Sequence, residues 1–376
     1  MAVRKFPEND MRCLTLLLLW LLLGCIPPAH AQTRDWQAPR IEHVFIIMLE
    51  NQLFDTTFGK DSPAPYLARD LTAKGALLRQ YFAIGHLSLP NYIAMISGQA
   101  PNPATQRDCT TFSEFLASGP LDADGQLPGE GCVYPDSVRT IADQLDAAGK
   151  TWKGYMEDMG NDPARAAAEC GHSPIGAEER TRHATAHDMY VAKHNPFVYF
   201  HSIIDDHQRC RARVVNLKRL DHDLRTLATT PNYSYITPNL CHDGHDAPCK
   251  NGEPGGLISA DRFLRHWVPR IMASAAYKQG GLIVITFDEA TMADKTSCCA
   301  TRPLPGGPEP GLGGPGGGRI GALLLSPRIG PGTISDVPYN HYSLLRWSED
   351  NFGLAPLGHA GTPRLGTFGS DVFTQH

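Results

Sequence analysis

The chain is expected to fold as an α/β protein around a mostly parallel sheet. Three observations lead there. Val44–Leu49 and Leu282–Phe287 are near-continuous apolar runs, which suit strands covered by helices on both faces. Strand-like runs alternate with segments of helical apolar spacing along much of the chain. Each of the two apolar runs also ends abruptly in oxygen-bearing side chains, Glu50-Asn51 and Asp288-Glu289. In open α/β sheets ligands bind beyond the carboxyl ends of the strands, so three carboxylates and an amide would converge on one side. Hard oxygen ligands of that kind suit a cation.

Taken in order, residues 62–76 and 138–148 have helical spacing, and 151–155 reads as a short strand. A helix is expected over 216–227, stopping before Pro231, then a strand at 233–236. Residues 260–276 form a long helical pattern feeding the strand at Leu282. A buried strand at 320–325 and a terminal helix at His341–Phe352, closed by Gly353, complete the alternation. Pro90 and Gly98 bracket one more helix, with Ser88 close to its N-cap. Residues 99–134, polar and carrying a cysteine pair, and 294–318, rich in Gly and Pro, read as insertions. The second has no Gly-Lys-Ser/Thr ending, so it is a rim loop and not a nucleotide P-loop.

Arg4, Lys5 and Arg12 precede an apolar stretch from Leu14 to Leu23, and Ala29-His30-Ala31 supplies a small-x-small cleavage pattern. Residues 1–31 are therefore expected to be a signal peptide, with residues 32–376 as a single domain. The stretch is short for a bilayer span and no other segment approaches the length, so no stable membrane span is expected. Leu22-Leu23-Gly24-Cys25 resembles a lipoprotein signal, but Leu23 suits that pattern poorly, so a periplasmic or secreted protein is expected over anchoring through Cys25. Beyond the leader lie Cys109, Cys132, Cys170, Cys210, Cys241, Cys249, Cys298 and Cys299, an even set that reads as a disulfide framework. Cys109 with Cys132 and Cys241 with Cys249 are plausible local pairs. The net charge of −5 and the lack of a basic stripe argue against nucleic acid as a partner.

Ser88 could be a plain helix cap. A helix start is also where a phosphate dianion binds, and a serine alkoxide held there by a metal would be a phosphoryl nucleophile. No Gly-x-Ser-x-Gly elbow supports an esterase triad.

These residues carry a resemblance. Glu50-Asn51-Gln52-Leu53-Phe54-Asp55-Thr56-Thr57-Phe58-Gly59 resembles the Glu-Asn-x-x-Phe-Asp-x-x-Phe-Gly signature of the bacterial phospholipase C/acid phosphatase phosphoesterase family. That family belongs to the alkaline-phosphatase-like superfamily. His86-Leu87-Ser88-Leu89-Pro90-Asn91 resembles its nucleophile segment, and Thr286-Phe287-Asp288-Glu289 its second metal-binding strand end. Ser326-Pro327, His341 to Leu345 and Glu349 to Leu354 resemble its C-terminal segment.

The resemblance implies a three-layer α/β sandwich of the alkaline-phosphatase-like kind. One divalent metal would be bound by Glu50, Asn51, Asp288, Glu289 and the Ser88 hydroxyl. Ser88 would attack phosphorus in a phosphate-ester substrate, giving a phosphoserine that water hydrolyses. Asn91 is placed to bond a phosphate oxygen, or to act as a helix-start polar residue. His194 and His245 best match the family's active-site histidines, for substrate binding and leaving-group protonation; His86, His201, His242 and His341 rank below them. An alternative has Asp243, His242 and His245 holding a second metal. Larger relatives acting on phospholipids carry extra C-terminal domains, so an acid-phosphatase-type phosphomonoesterase is expected over a phospholipase C. A catalytically silent exported binding protein of the same fold is the remaining alternative.

Overall fold

The computed structural model describes residues 1–2, 37–299 and 301–374. The apolar stretch of the expected leader, its cleavage pattern and Cys25 lie outside the described residues.

Eight strands form one sheet: β1 (Val44–Leu49), β2 (Ala76–Leu78), β3 (Trp152–Met156), β4 (Val214–Asn216), β5 (Tyr233–Thr237), β6 (Leu282–Phe287), β7 (Ala322–Leu325) and β8 (Thr333–Ser335). Their order is β8-β2-β7-β6-β1-β5-β3-β4. β1 sits at the centre, with Val44 paired to Tyr233 on one side and to Leu282 on the other, both in parallel. Only β7 runs against its neighbours. Every side chain of β1 and of β6 is buried. Successive side chains on a strand point to opposite faces, so both faces of the sheet are covered and the fold has three layers. Burying each large aliphatic side chain there contributes about 1.5–3 kcal/mol.

Four helices matter for the site: α1 (Ser88–Ser97), α2 (Ile141–Ala147), α3 (Gly256–Ala273) and α4 (His341–Phe352). α1, α2 and α4 pack against one another. Asn340 and Ser343 form a capping box at the start of α4, and Gly353 ends it in the left-handed region at φ 70°. Thr140 and Asp143 do the same at the start of α2.

Two expected helices come out shorter. Pro63 and Pro65 delay the first, which becomes a wide turn at Tyr66–Leu71 and a 3-10 turn at Thr72–Lys74 before β2. The helix expected over 216–227 is reduced to the turns Leu217–Arg219 and Leu220–Asp223. Its continuation is intercepted: the hydroxyls of Thr229 and Thr230 both donate to the Asp223 carbonyl, each at 2.9 Å.

Within 99–134 the regular structure is slight, a two-stranded pair of Leu116–Ala117 with Gly129–Glu130 and one 3-10 turn. The described part of 294–318 has neither helix nor strand. Cys109–Cys132 and Cys241–Cys249 are joined as the sequence suggests, and Cys170–Cys210 and Cys298–Cys299 are joined as well. No helix among the described residues is long and apolar enough to cross a membrane.

Candidate active site

Three adjacent parallel strands deliver the site. β1 ends at Glu50-Asn51, β6 at Asp288-Glu289, and the loop after β5 carries Asp243 and His245. The Glu50 N–H donates to the Asp243 carbonyl at 2.8 Å, and the Asp288 N–H to the Leu49 carbonyl at 2.9 Å, which ties the three strand ends together. Asn51 turns the chain in the left-handed region at φ 53° and donates its N–H to Asp288 Oδ1 at 2.9 Å. Its side chain donates to Glu50 Oε2 at 3.2 Å.

Ser88 enters from the start of α1. It is not the cap: Leu87 holds that position, with φ 69° and ψ 146°, an unusual conformation for a residue with a side chain. The Ser88 hydroxyl donates to Glu50 Oε2 at 3.0 Å. Tyr92, one turn later on the same face of α1, donates its hydroxyl to Glu50 Oε1 at 2.6 Å. The strained turn is braced by Asn91. Its side-chain oxygen accepts the N–H groups of Ile84 and Gly85, and its nitrogen donates to the carbonyls of Gly85 and Leu87. The Asn91 amide is thus committed to the backbone around Ser88.

His194 is buried and stacks on the Tyr92 ring, centroid to centroid at 5.1 Å and 5° from parallel. Its Nε2 lies 3.2 Å from Glu50 Oε1 and its Nδ1 3.4 Å from Asp243 Oδ2. His245 sits at the outer edge, bonded through Nδ1 to Asp246 at 2.8 Å. Its N–H donates to Asp243 Oδ1 at 2.8 Å. Glu289 pairs closely with His86 Nδ1, and His86 Nε2 reaches the Asp294 carbonyl at 2.9 Å. His341 Nε2 donates to the Asp288 carbonyl at 2.7 Å. His201 and His242 are engaged elsewhere, the first with Glu114 and Asp205, the second with Glu157 and Glu253.

So many acids in so little water perturb one another. Burial, then the charges of Asp288 and Asp243, hold the Glu50 carboxyl well above the usual range. Burial and Asp288 push Glu289 up to about 10. Burial raises Asp243 to about 8, against the pull of His245. His194 is driven well down by burial and by the Lys193 ammonium, so its ring is neutral. Burial also works against the charge of Lys193, but Asp108 and Glu50 outweigh it and raise this lysine above its ordinary range.

A divalent cation fits this chemistry. Both ring nitrogens of His194, Asp243 Oδ2 and Asp288 Oδ2 are buried without a hydrogen-bond partner. Ligand atoms of Glu50, His194 and Asp243 all lie within 4.8 Å of one another. A second grouping, Cys241, His242 and Glu253, is a poorer cradle, because Cys241 is held in a disulfide and has no thiolate to offer.

The structure therefore brings together Glu50, Asn51, Ser88, His194, Asp288 and Glu289, with His245 at the rim. Sequence reasoning missed Tyr92, Lys193 and Asp108. Tyr92 carried a signal, its position four residues after Ser88. Lys193 and Asp108 carried none.

The chain matches the model of the Phosphoesterase family over residues 61–355. Ser88, His194, Asp243, His245, Asp288 and Glu289 fall within that span, and Glu50 and Asn51 precede it. Among curated proteins it is 27% identical over 332 residues to a probable acid phosphatase of Kluyveromyces lactis, covering 86% of this chain and 61% of that one. It is 29% identical to a phosphate-repressible acid phosphatase of Penicillium chrysogenum, covering 77% and 54%. A phosphatidylinositol-3-phosphatase of Mycobacterium tuberculosis is 24% identical, covering 86% and 80%. The chain thus spans little more than half the length of the two fungal relatives. In fold it is similar to a protein of the alkaline phosphatase superfamily from Vibrio parahaemolyticus, with a TM-score of 0.51 at 13% identity, covering 90% of this chain and 72% of that one.

Proposed function

This chain belongs to the phosphoesterase family, and from that premise we propose that it is an exported, metal-dependent phosphomonoesterase of acid-phosphatase type, working through a phosphoserine at Ser88. The observation that carries the reading is the Ser88 hydroxyl at the start of α1, bonded to a buried carboxylate in a cluster of unpaired ligands. The names of the fungal relatives support the monoester preference. The expected leader and four disulfides among the described residues support a periplasmic or secreted location.

Glu50, Asn51, Asp288, Glu289 and the Ser88 hydroxyl would hold one divalent metal, which supplies charge neutralisation at the phosphoryl oxygens. The convergence of Glu50 with His194 and Asp243 favours a second ligand set around the same Glu50 carboxylate. Ser88 gives its proton to Glu50 Oε2, already its hydrogen-bond acceptor, as the Oγ–phosphorus bond forms. The ester phosphorus–oxygen bond breaks and its electron pair leaves with the departing oxygen. His245, at the rim and with its pKa raised by Asp246, protonates that oxygen. Water then attacks phosphorus and gives a proton to His245, the Oγ–phosphorus bond breaks, and Oγ takes back its proton from Glu50 Oε2. Neutral His194, fixed by Tyr92, offers a ring nitrogen to a phosphoryl oxygen or to the cation.

Two measurements test this. Para-nitrophenyl phosphate should be hydrolysed much faster than para-nitrophenylphosphorylcholine; a tenfold or greater preference for the diester, on the order expected of a specificity contact, would move the assignment to phospholipase C. Protein quenched in acid during turnover should carry phosphate on the Ser88 peptide. Ser88→Ala should fold, bind phosphate and lose several orders of magnitude in turnover, and an alanine variant keeping a tenth of the activity would refute the phosphoserine.

A further inference from the structure

Among the described residues, Lys193 brings a cation to the Ser88 hydroxyl. Lys193 Nζ lies 3.4 Å from Ser88 Oγ and 2.9 Å from Asp108 Oδ2. Asp108 uses its other oxygen, Oδ1, to accept the Leu89 N–H at 3.0 Å, in the first turn of α1. A single carboxylate thus fixes the ammonium relative to the helix that carries Ser88. Asp108 and Cys109 both occupy the left-handed region, at φ 51° and 47°. Two successive side-chain-bearing residues persist there only when their surroundings over-determine them. Here the Cys109–Cys132 disulfide and the two bonds of Asp108 do so. Lys193 and Asp108 also line a cavity of about 160 Å³.

We propose that Lys193 is a catalytic residue for this chain's phosphoryl transfer, stabilising negative charge on Ser88 Oγ, and that Asp108 is its positioning residue. The proposal rests on the reading of Ser88 as nucleophile. As the Oγ–phosphorus bond forms, the Ser88 proton passes to Glu50 Oε2 and the ester oxygen departs with its electron pair. Lys193 keeps all its protons throughout and acts as a fixed charge, preorganised where charge develops. Balancing the buried acids requires only nearness to their carboxylates, whereas this ammonium also stands within hydrogen-bond reach of Ser88 Oγ.

The test uses the full-length metal-loaded protein and para-nitrophenyl phosphate. Lys193→Met should lower kcat by about 100- to 1,000-fold, the effect of losing one preorganised donor, with KM changed by less than about threefold. Acid-quenched single turnovers should show Ser88 phosphorylation slowed by the same factor. Lys193→Arg, which keeps the charge, should exceed Lys193→Met by about tenfold or more. Asp108→Asn, which keeps an acceptor for Leu89, should lower kcat about tenfold at an unchanged thermal midpoint. A folded Lys193→Met protein with kcat within about threefold of wild type, or methionine and arginine variants of equal activity, would overturn the proposal. If Lys193→Met fails to fold or to hold metal, Asp108→Asn decides, and an unchanged kcat there overturns it. The two readings separate cleanly: an unlabelled Ser88 peptide in wild type removes the nucleophile, whereas a labelled one with an indifferent Lys193 removes only this inference.

Discussion

Arg165 and Asp188 are nearly as deeply buried as Glu50 and Asp288, yet the two clusters handle their charge in opposite ways. Arg165 Nη1 meets Asp188 Oδ1 at 2.7 Å, and the guanidinium also donates to the carbonyls of Thr181, His183, Asp188 and Tyr190. Asp188 accepts the N–H groups of Asp162 and Tyr190. Donors and acceptors are matched, and the loop between β3 and β4 is pinned by the result. Around Glu50 the count fails. Among the described residues five acids, Glu50, Asp108, Asp243, Asp288 and Glu289, share the Lys193 ammonium, and Asp243, Asp288 and His194 all keep unpaired atoms. Leaving a buried polar group unpaired costs about 1–3 kcal/mol, a cost that the cation proposed above would offset. The completed cluster is architecture; the incomplete one is the proposed receptor.

That contrast can be broken or sharpened experimentally. The largest effect is expected from Asp288→Asn, which should abolish metal binding and turnover together while making the metal-free protein more stable, by about 1 kcal/mol, because one desolvated like charge disappears. Elemental analysis showing full metal content in the variant would remove Asp288 from the ligand set. The matched cluster should respond the other way. Arg165→Met leaves Asp188 buried and unpaired and should cost about 3–5 kcal/mol in denaturant unfolding, with turnover per folded molecule unchanged. A large loss of kcat at full stability would mean that Arg165 is part of the receptor.

A smaller effect lies between the two. Burial opposes the charge of His242, but Glu157 and Glu253 outweigh it and raise this histidine from 6.5 to about 9. A pKa raised in the folded state stabilises most below the unfolded value. The contribution is therefore complete below about pH 6.5 and is lost as pH rises through about 9. With the ring a quarter exposed, solvent screening reduces it to on the order of 1 kcal/mol. His242→Gln should accordingly destabilise the protein at pH 6 and leave it nearly unchanged at pH 10. Equal destabilisation at both pH values would show that packing against Phe263, not charge, is what the residue supplies.

The sequence made the frame of this site legible, because its signals are local. The apolar runs of β1 and β6 and their polar ends announce both strands and the side on which the acids gather. The capping chemistry of α4 is equally local. Hidden were features set by distant partners. Thr229 and Thr230 stop a helix that periodicity alone would extend. Asp108 lies in an insertion whose text reads as polar loop, and only the folded chain brings it to Lys193. Asn91 shows the converse: its position one turn into α1 suggested a phosphate contact, while its hydrogen bonds run entirely to the backbone of the turn it braces.

The pairing of Asn51 with Asp288 spans 237 positions, and it bears on when the molecule can exist. β1 is made early but its central place needs β5 on one side and β6 on the other. Until residue 288 has been synthesised, a strand of six apolar side chains waits without its second neighbour and Glu50 lacks Asp288 and Glu289. Non-local parallel pairing of this kind is slow, because the loop must close before any contact rewards it. Unpaired apolar strands also make such waiting chains prone to aggregate. The centre of the sheet, the most secure part of the finished protein, is thus the most hazardous part of its birth.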